Sequence, residues 1–343
     1  MSRYPECDLS KLKTIPVGKR KSLVSAPRLY QPPDDPGSIE AYIESLPHVL
    51  GAASLKALIG AIVKARARDH PVIAMCGAHV LKTGMGPGLI QWIQQGVLTG
   101  VAFHGAGSVH DVELGLWGAT SEDVAEELHR GRFGMARETA AFLNGAAREA
   151  AEREEGLGEA IGRRLLEADP ATAGRSVLAA AYRANVPATV HVAIGTDIHH
   201  QHPDFDGGAT GESSARDFRI LANEIITIRD GVVLNLGSAV ILPEVFLKAV
   251  SVAINLDGDV SRMTTAVFDF IRHYRPAENV VRRPTMGNGR GYYLIGQHEI
   301  LLPILFQACL ARIPASTEGK KPQKSLSRIQ DGRKVEGRKR RAR

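Results

Sequence analysis

The residues most able to do chemistry lie in four short stretches rich in glycine or histidine. They are GAHVLKTG at 77–84, GAGSVHD at 105–111, TDIHHQHPDFD at 196–206 and GS at 237–238. Glycine lets backbone amides approach a ligand closely, and a helix that starts just after it points its positive end the same way. We therefore predict that the bends at Gly77, Gly105 and Gly237 bind a pyrophosphate. The alternative is that small residues there only let a helix cross the end of a strand.

Three side chains beside these bends could take part in a reaction. Lys82 could contact a phosphate, form an imine with a substrate, or remain an exposed lysine. His110 could shuttle a proton, because the pKa of imidazole lies near neutrality. Asp111 could hold a cationic substrate nitrogen, or it could only cap the following helix. We predict catalytic roles for all three, together with His202.

The stretch at 196–206 crowds five possible metal ligands into eight positions. They are His199, His200, His202, Asp204 and Asp206. Histidine and carboxylate are common zinc and iron ligands, so a metal site is one hypothesis. A loop that lines the substrate site and a purely structural loop are the alternatives, since local crowding alone is weak support for a metal.

The elements that must position these residues alternate regularly along the chain. Short, almost entirely apolar runs are separated by helices: PVIAMCG, VLTGVAFHGAG, ATVHVAIG, GVVLNLGSA, TTAVFDFI and GYYLIG. Strands without polar alternation are buried on both faces, which predicts an α/β fold with a doubly wound, mainly parallel, Rossmann-like sheet. In such sheets the ligand lies beyond the carboxyl ends of the strands. No bend matches GxGxxG, so an ordinary Rossmann dehydrogenase is not indicated.

The rest of the chain is assigned from composition. Residues 1–45 are predicted to be an N-terminal arm, 46–315 the folded domain, and 316–343 a disordered basic tail. A helical interlude at about 120–170 is predicted to lie outside the sheet, as a hairpin or an oligomer contact.

The net charge of +6 comes from the tail, which carries 11 Lys and Arg against 3 Asp and Glu. The remaining residues are therefore slightly acidic, and any nucleic-acid contact is expected only through the tail. Three separated cysteines indicate reduced thiols, and the absence of a long apolar run or signal segment predicts a cytoplasmic protein that does not enter a membrane.

Five segments of the chain, spread over 70–312, resemble segments of the deoxyhypusine synthase family and occur in the same order. GAHVLKTG resembles the family's small polar loop after its first strand, and HGAGSVHD its small-residue corner followed by two acidic residues. VAIGTD resembles the strand that ends in Thr-Asp. LNLGSAVILPE resembles the triple-glycine corner, and ILLPILFQACL the closing helix.

The resemblance implies an NAD-binding fold, a homotetramer with sites at subunit interfaces, and transfer of an aminobutyl group from spermidine to a protein lysine. It also implies that the loop at 196–206 works without a metal. The implied cofactor-binding residues are Gly77, His79, Thr83, Gly84, Gly105, Ala106, Gly107, Asp197, Gly237 and Ser238.

One departure bears on the reaction: the family's nucleophilic lysine is missing. It should lie between Val280 and Gly296, yet no lysine occurs from 249 to 319, and arginine cannot form an imine near neutral pH. We therefore predict NAD-dependent transfer of an aminoalkyl group to an amine acceptor, with a small-molecule amine, polyamines included, as substrate.

Two other functions remain open from the sequence. One is an NAD-dependent enzyme for an anionic, amino-acid-like metabolite, clamped by arginines. Those arginines are Arg272, Arg275, Arg282 and Arg283. The other is a non-catalytic NAD-binding scaffold whose basic tail binds RNA.

Overall fold

The computed structural model describes residues 37–313, and all statements about structure concern that part of the chain. Six strands form one sheet. They are β1 (Val72–Cys76), β2 (Gly100–His104), β3 (Ala188–His191), β4 (Val232–Leu236), β5 (Thr264–Asp269) and β6 (Arg290–Ile295). Every neighbouring pair is parallel, and the order across the sheet is β3-β2-β1-β4-β5-β6.

Thirteen helices lie among the described residues. They are α1 (Ile39–Ser45), α2 (Leu50–Ala67), α3 (Ala78–Lys82), α4 (Gly86–Gln94), α5 (Gly105–Trp117), α6 (Val124–His129), α7 (Arg137–Glu152), α8 (Leu157–Ala168), α9 (Val177–Arg183), α10 (Gly207–Ile226), α11 (Ile241–Asn255), α12 (Tyr274–Pro276) and α13 (His298–Leu310). A π-helical turn at Ala277–Arg282 follows α12 directly.

The strands bury side chains on both faces, as their apolar sequences require. In β1, Val72, Ala74 and Cys76 belong to one apolar cluster, while Ile73 and Met75 belong to the other. The first cluster lies under α1, α2, α4, α5, α7 to α9 and α13, and the second lies under α10, α11 and the π-helical turn. The predicted doubly wound, Rossmann-like α/β fold is confirmed.

The strand order reverses direction between β1 and β4. Chain order runs outward from β1 to β3 on one side and from β4 to β6 on the other. This is the topological switch point, where open parallel sheets form a crevice beyond the carboxyl ends of the strands. The residues that follow β1, β2 and β4 therefore share one edge of the sheet.

Two sequence-based boundaries need adjustment. Helix α1 falls within the predicted arm, but its residue Ile43 is fully buried in the first cluster, so the folded body includes α1. The interlude was predicted to lie outside the sheet, as a hairpin or an oligomer contact. Its helices α7 and α8 contribute no strand to the sheet, but they bury apolar side chains such as Leu143 and Ile161 in the first cluster.

A buried carboxylate explains how α8 is attached. Asp217 of α10 accepts hydrogen bonds from the backbone N–H groups of Gly158 at 2.9 Å and Val190 at 2.7 Å. It thereby joins the first turn of α8 to the outer edge of β3. Burial raises the pKa of Asp217 to about 8.

Some sequence-based predictions fall on other parts of the chain. Most of the arm and the basic tail at 316–343 lie outside the described residues. Cys76 and Cys309 are free thiols, as predicted, and both are buried. Among residues 37–313, no helix combines the length and apolar character needed to span a bilayer.

Candidate functional site

The glycine bends meet at the switch point. Gly77 follows β1, Gly237 follows β4, and a Cβ built on Gly77 would lie only 2.1 Å from the carbonyl oxygen of Gly237. Only glycine permits this approach, because real Cβ atoms do not come within 3.0 Å of backbone. The two loops therefore touch over the centre of the sheet.

The backbone amides of these two bends already donate hydrogen bonds within the protein, which corrects the prediction that they bind a pyrophosphate. The N–H of Gly77 donates to the Leu236 carbonyl at 2.7 Å, and the N–H of Gly237 donates to the Phe268 carbonyl at 2.9 Å. Both extend the ladders of the sheet rather than face a ligand. Ser238 also has a structural contact, since its Oγ accepts the N–H of Leu242 in the first turn of α11 at 3.3 Å.

The third bend, at the start of α5, is covered by a carboxylate. A Cβ on Gly105 would lie 1.8 Å from Oδ2 of Asp197, and the backbone N–H of Ala106 donates to that carboxylate. Gly107 is close to the Phe103 side chain. An aspartate thus occupies the helix start where a phosphate was predicted. Burial raises the pKa of Asp197 to about 6.

Asp197 faces a second buried group without forming a hydrogen bond to it. Nε2 of His200 lies 3.9 Å from Oδ2 of Asp197, and neither atom has a partner among residues 37–313. Nδ1 of His200 accepts the N–H of Gly195 at 3.1 Å, so the neutral ring carries its proton on Nε2. The pair offers one donor and one acceptor.

His298 provides a third buried group, above Gly237. Its Cε1 would lie 2.7 Å from a Cβ on Gly237, its Nε2 donates to the Phe268 carbonyl at 3.1 Å, and its Nδ1 has no partner within the described chain. The ring of His79 lies 5.3 Å from that of His298. Burial and the neighbouring His298 lower the pKa of His79.

The loop after β1 also presents a cation. Lys82 ends α3, is exposed, and has no hydrogen bond or ion pair within residues 37–313. The hydroxyl of Thr83 donates to the carbonyl of His79 at 3.0 Å, which closes the turn. Gly84 adopts a left-handed φ of +81° and has open space around it.

A histidine that was not predicted joins β2 to the first loop. His104 ends β2, and its Nε2 accepts the N–H of Ala78 at 3.1 Å. Burial, and then the nearby His110, lower the pKa of His104 to about 4. His104 is therefore neutral at physiological pH and serves as an acceptor.

His110 is fixed by two groups that were also not predicted. Its Nδ1 lies 2.6 Å from Oγ1 of Thr120, which in turn donates to Oε2 of Glu113 at 2.5 Å. Burial lowers the pKa of His110, Glu113 raises it, and Lys82 lowers it. His110 and Lys82 are thus close enough to interact electrostatically.

Asp111 does not fit its predicted role as a substrate contact. It is 1% exposed, and its two oxygens accept from the Ser176 hydroxyl and from the N–H groups of Val177 and Leu178 at 2.5 to 3.0 Å. It caps α9 from α5. Asp111 therefore caps a helix, as the alternative stated, but the helix is α9 rather than the one that follows Asp111 in sequence.

His202 is also used elsewhere. Its Nε2 lies 2.8 Å from the carbonyl of Gly134, and it holds the 196–206 loop to the turn before α7. Asn144 of α7 strengthens that attachment by donating to Asp204 and to the carbonyl of His199. Within the described chain, no three His, Cys, Asp or Glu side chains are arranged to hold a metal ion.

The arginine cluster does not form an open anion clamp. Arg275 pairs with Glu244 at 3.3 Å, Arg282 pairs with Glu278 at 2.5 Å, and Arg283 donates to Asn279 at 2.6 Å. The guanidinium of Arg272 lies 5.2 Å from the centre of the Tyr293 ring. Their charges are therefore largely occupied by partners within the chain.

Comparison with known proteins gives similarity of fold at low identity. AgrE in complex with ornithine and NAD+ superposes with a TM-score of 0.50 at 14% identity, over 76% of this chain and 33% of that one. ArgZ, an arginine dihydrolase from cyanobacteria, gives 0.48 at 16% identity, over 77% and 33%. A putative deoxyhypusine synthase from Entamoeba histolytica gives 0.45 at 11% identity, over 83% and 96%.

At these identities the similarity concerns the fold alone. The chain spans about a third of the length of ArgZ and AgrE. No protein-family model matches the chain, and no curated protein matches its sequence.

Proposed function

We propose that the protein is an NAD-dependent enzyme whose site lies at the carboxyl edge of the sheet, over β2, β1 and β4. The observation that carries this proposal is the convergence of the bends at Gly77, Gly105 and Gly237 on the switch point of a 3-2-1-4-5-6 sheet. That position is where doubly wound sheets bind dinucleotides.

The groups at this edge fit the chemistry of a dinucleotide. Three buried polar atoms find no partner among residues 37–313: Oδ2 of Asp197, Nε2 of His200 and Nδ1 of His298. Buried polar atoms normally have partners, and ribose hydroxyls and a carboxamide would supply them. Lys82 would provide the cation for a phosphate. We assign NAD binding to these four side chains, rather than to the glycine amides.

When bound, NAD supplies a hydride acceptor and donor. The chain's own contribution is to orient the reactants and to move a proton. Nε2 of His110 is placed to accept a proton from an amine of the substrate or return one to it, since its pKa is lowered and the neutral imidazole is available. Neutral His104 links the end of β2 to the loop after β1 through its hydrogen bond with Ala78, without adding a positive charge.

Within this class we propose transfer of an aminoalkyl group to an amine acceptor, with a small-molecule amine as donor. Since Lys82 is assigned to a phosphate of NAD, the acceptor amine belongs to a second small molecule. The arginines of the alternative anionic site are paired with carboxylates or stacked, so no observation favours an anionic metabolite.

We also propose a homotetramer with sites at subunit interfaces. Exposed apolar side chains follow the ends of β4, β5 and β6: Val240, Phe270, Ile271 and Ile295 are each 44% to 58% exposed. Apolar patches of this kind mark interaction surfaces. Sedimentation equilibrium of the purified chain tests the proposal, and a monomer at micromolar concentration would refute it.

The decisive experiment measures NAD binding by calorimetry, with Lys82→Met as the variant and Lys64→Met as the matched control. Both lysines are exposed on helices, and Lys64 lies on α2. Loss of a charge-assisted contact should weaken NAD binding by about 10-fold or more in the Lys82 variant only. If millimolar NAD neither binds nor stabilises the purified protein, the proposed function is wrong.

Substrate class is tested next, by adding amines to the NAD-loaded protein and following the near-ultraviolet absorbance of reduced nicotinamide. Spermidine and ornithine are compared with acidic amino acids. Reduction by amines alone supports an amine donor, and reoxidation of the nicotinamide when an acceptor amine is added supports transfer. Reduction by acidic compounds alone contradicts the proposed substrate class.

A further inference from the structure

We propose that Thr120 and Glu113 are positioning residues that fix the tautomer of His110, so that its Nε2 carries the free lone pair. The inference deepens the proposed function and rests on it only for the reaction that His110 would serve. The hydrogen-bond arrangement itself requires neither cofactor nor substrate.

Three side chains form a continuous chain of hydrogen bonds. Nδ1 of His110 lies 2.6 Å from Oγ1 of Thr120, and Oγ1 of Thr120 lies 2.5 Å from Oε2 of Glu113. His110 and Glu113 are three residues apart on α5 and so share a helix face. Thr120 comes from the loop that follows the helix.

Counting protons determines the direction of each bond. A carboxylate oxygen can only accept, so Thr120 must use its single hydroxyl proton to donate to Glu113. The hydroxyl oxygen can then only accept from the ring, and Nδ1 of His110 must carry a proton. In the neutral imidazole Nε2 is therefore the unprotonated nitrogen.

Glu113 is itself held in place. The hydroxyl of Thr139, in the first turn of α7, donates to Oε1 of Glu113 at 3.0 Å. The carboxylate thus accepts hydrogen bonds from two hydroxyls, one in the loop after α5 and one in α7. This arrangement makes it a rigid acceptor rather than a mobile surface group.

Three titratable side chains interact electrostatically with His110, and they come from its own helix, from α3 and from β2. Glu113 of its own helix favours the protonated ring, whereas Lys82 of α3 opposes it. Burial, and then His110 itself, lower the pKa of His104 of β2, so this ring is neutral, and its Nε2 accepts the N–H of Ala78. Nε2 of His110 has no partner within residues 37–313, so it is the nitrogen open to a reacting group.

A purely structural role for the same bonds would be to tie the 118–123 loop to α5. Because the proton count is the same for that role, it too gives the Nδ1–H tautomer, and the tautomer tests only the arrangement of the bonds. The two interpretations differ at Nε2: only a positioning role predicts that Thr120→Val shifts the pH profile of amine-dependent NAD reduction while Thr139→Val does not.

The test is nitrogen NMR of the full-length protein labelled with ¹⁵N-histidine, without added ligand, with His110→Gln used to assign the resonance. We expect the Nδ1–H tautomer for His110 in the native protein and in Thr120→Ser. Thr120→Val has the same shape but no acceptor, so it should lose that preference. Thr139→Val is the matched control and should keep it, because it leaves the Thr120 bond in place.

Glu113→Gln provides an independent readout if Thr120→Val does not fold. Removing the carboxylate should lower the pKa of His110 further, measured from the ring resonances against pH. An Nε2–H tautomer in the native protein would overturn the proposal. The proposal would also be overturned if Thr120→Val kept the Nδ1–H tautomer as strongly as Thr120→Ser. NAD binding is measured separately, so a failure there leaves these outcomes distinct.

Discussion

The contact between Gly77 and Gly237 gives the sharpest prediction for stability. In Gly77→Ala the new methyl group would lie 2.1 Å from the carbonyl oxygen of Gly237 and 3.0 Å from the nitrogen of Ser238. Both are backbone atoms, so no side-chain rotation relieves the clash. The two loops would have to separate by about 1 Å to reach the 3.0 Å that real Cβ atoms keep.

The cost follows from what holds those loops. Separation strains the hydrogen bonds from Gly77 to Leu236 and from Gly237 to Phe268, which continue the ladders between neighbouring strands. Overpacking costs about 1 to 3 kcal/mol, and each weakened hydrogen bond adds about 0.5 to 1.5 kcal/mol. With two such bonds, we expect Gly77→Ala to lower the free energy of unfolding by about 2 to 6 kcal/mol.

Urea unfolding followed by circular dichroism measures this change, and Gly60→Ala is the matched control. Gly60 lies within α2, is exposed, and has nothing within 4 Å of an added Cβ. The control should therefore gain about 0.5 to 1 kcal/mol. A Gly77→Ala protein within about 0.5 kcal/mol of native would refute the contact at the switch point.

Three further changes test other parts of the structure. In Asp111→Asn an amide NH₂ faces the backbone N–H groups that donate to the native carboxylate. The free energy of unfolding in urea at pH 7 should fall by about 1 to 3 kcal/mol. Arg163→Met removes the shared partner of Glu149, Glu155 and Glu167, an arginine whose side chain is 7% exposed; thermal unfolding should show a loss of about 3 kcal/mol, and an unchanged midpoint would contradict the network. His104 has a folded pKa of about 4, below its unfolded value of 6.5, so its contribution is full above pH 6.5 and is lost as pH falls towards 4. Between pH 7.5 and pH 5, native protein should therefore lose about 2 kcal/mol more than His104→Gln, and equal losses would contradict the neutral histidine.

The sequence was sufficient to predict the fold because strand burial leaves a clear pattern. An apolar run such as Val72–Cys76 has no polar face, and only a sheet covered on both sides accommodates it. The edge that carries the site followed from topology, since residues after parallel strands share one end. The same reasoning identified Gly77, Gly105 and Gly237 without any atomic detail.

The use of individual polar groups could not be predicted in the same way. Asp111 and Asp197 look alike in sequence, each within two residues of a histidine, yet one caps α9 and the other covers the start of α5. Which donor a carboxylate meets depends on where helices distant in sequence pack. His104 could have been found, as the polar end of an apolar strand, whereas Thr120 depends on the exact length of α5.

The separation of β1 and β4 along the chain has a consequence for biosynthesis. Val72 pairs with Val232, so the central strand gains its second neighbour only after 160 further residues have been made. At about 5 to 20 residues per second, β1 keeps an open edge for roughly 8 to 30 s on the ribosome. Nascent chains arrested before β4 should therefore be sensitive to protease and bound by chaperones, and chains arrested after β5 should be neither.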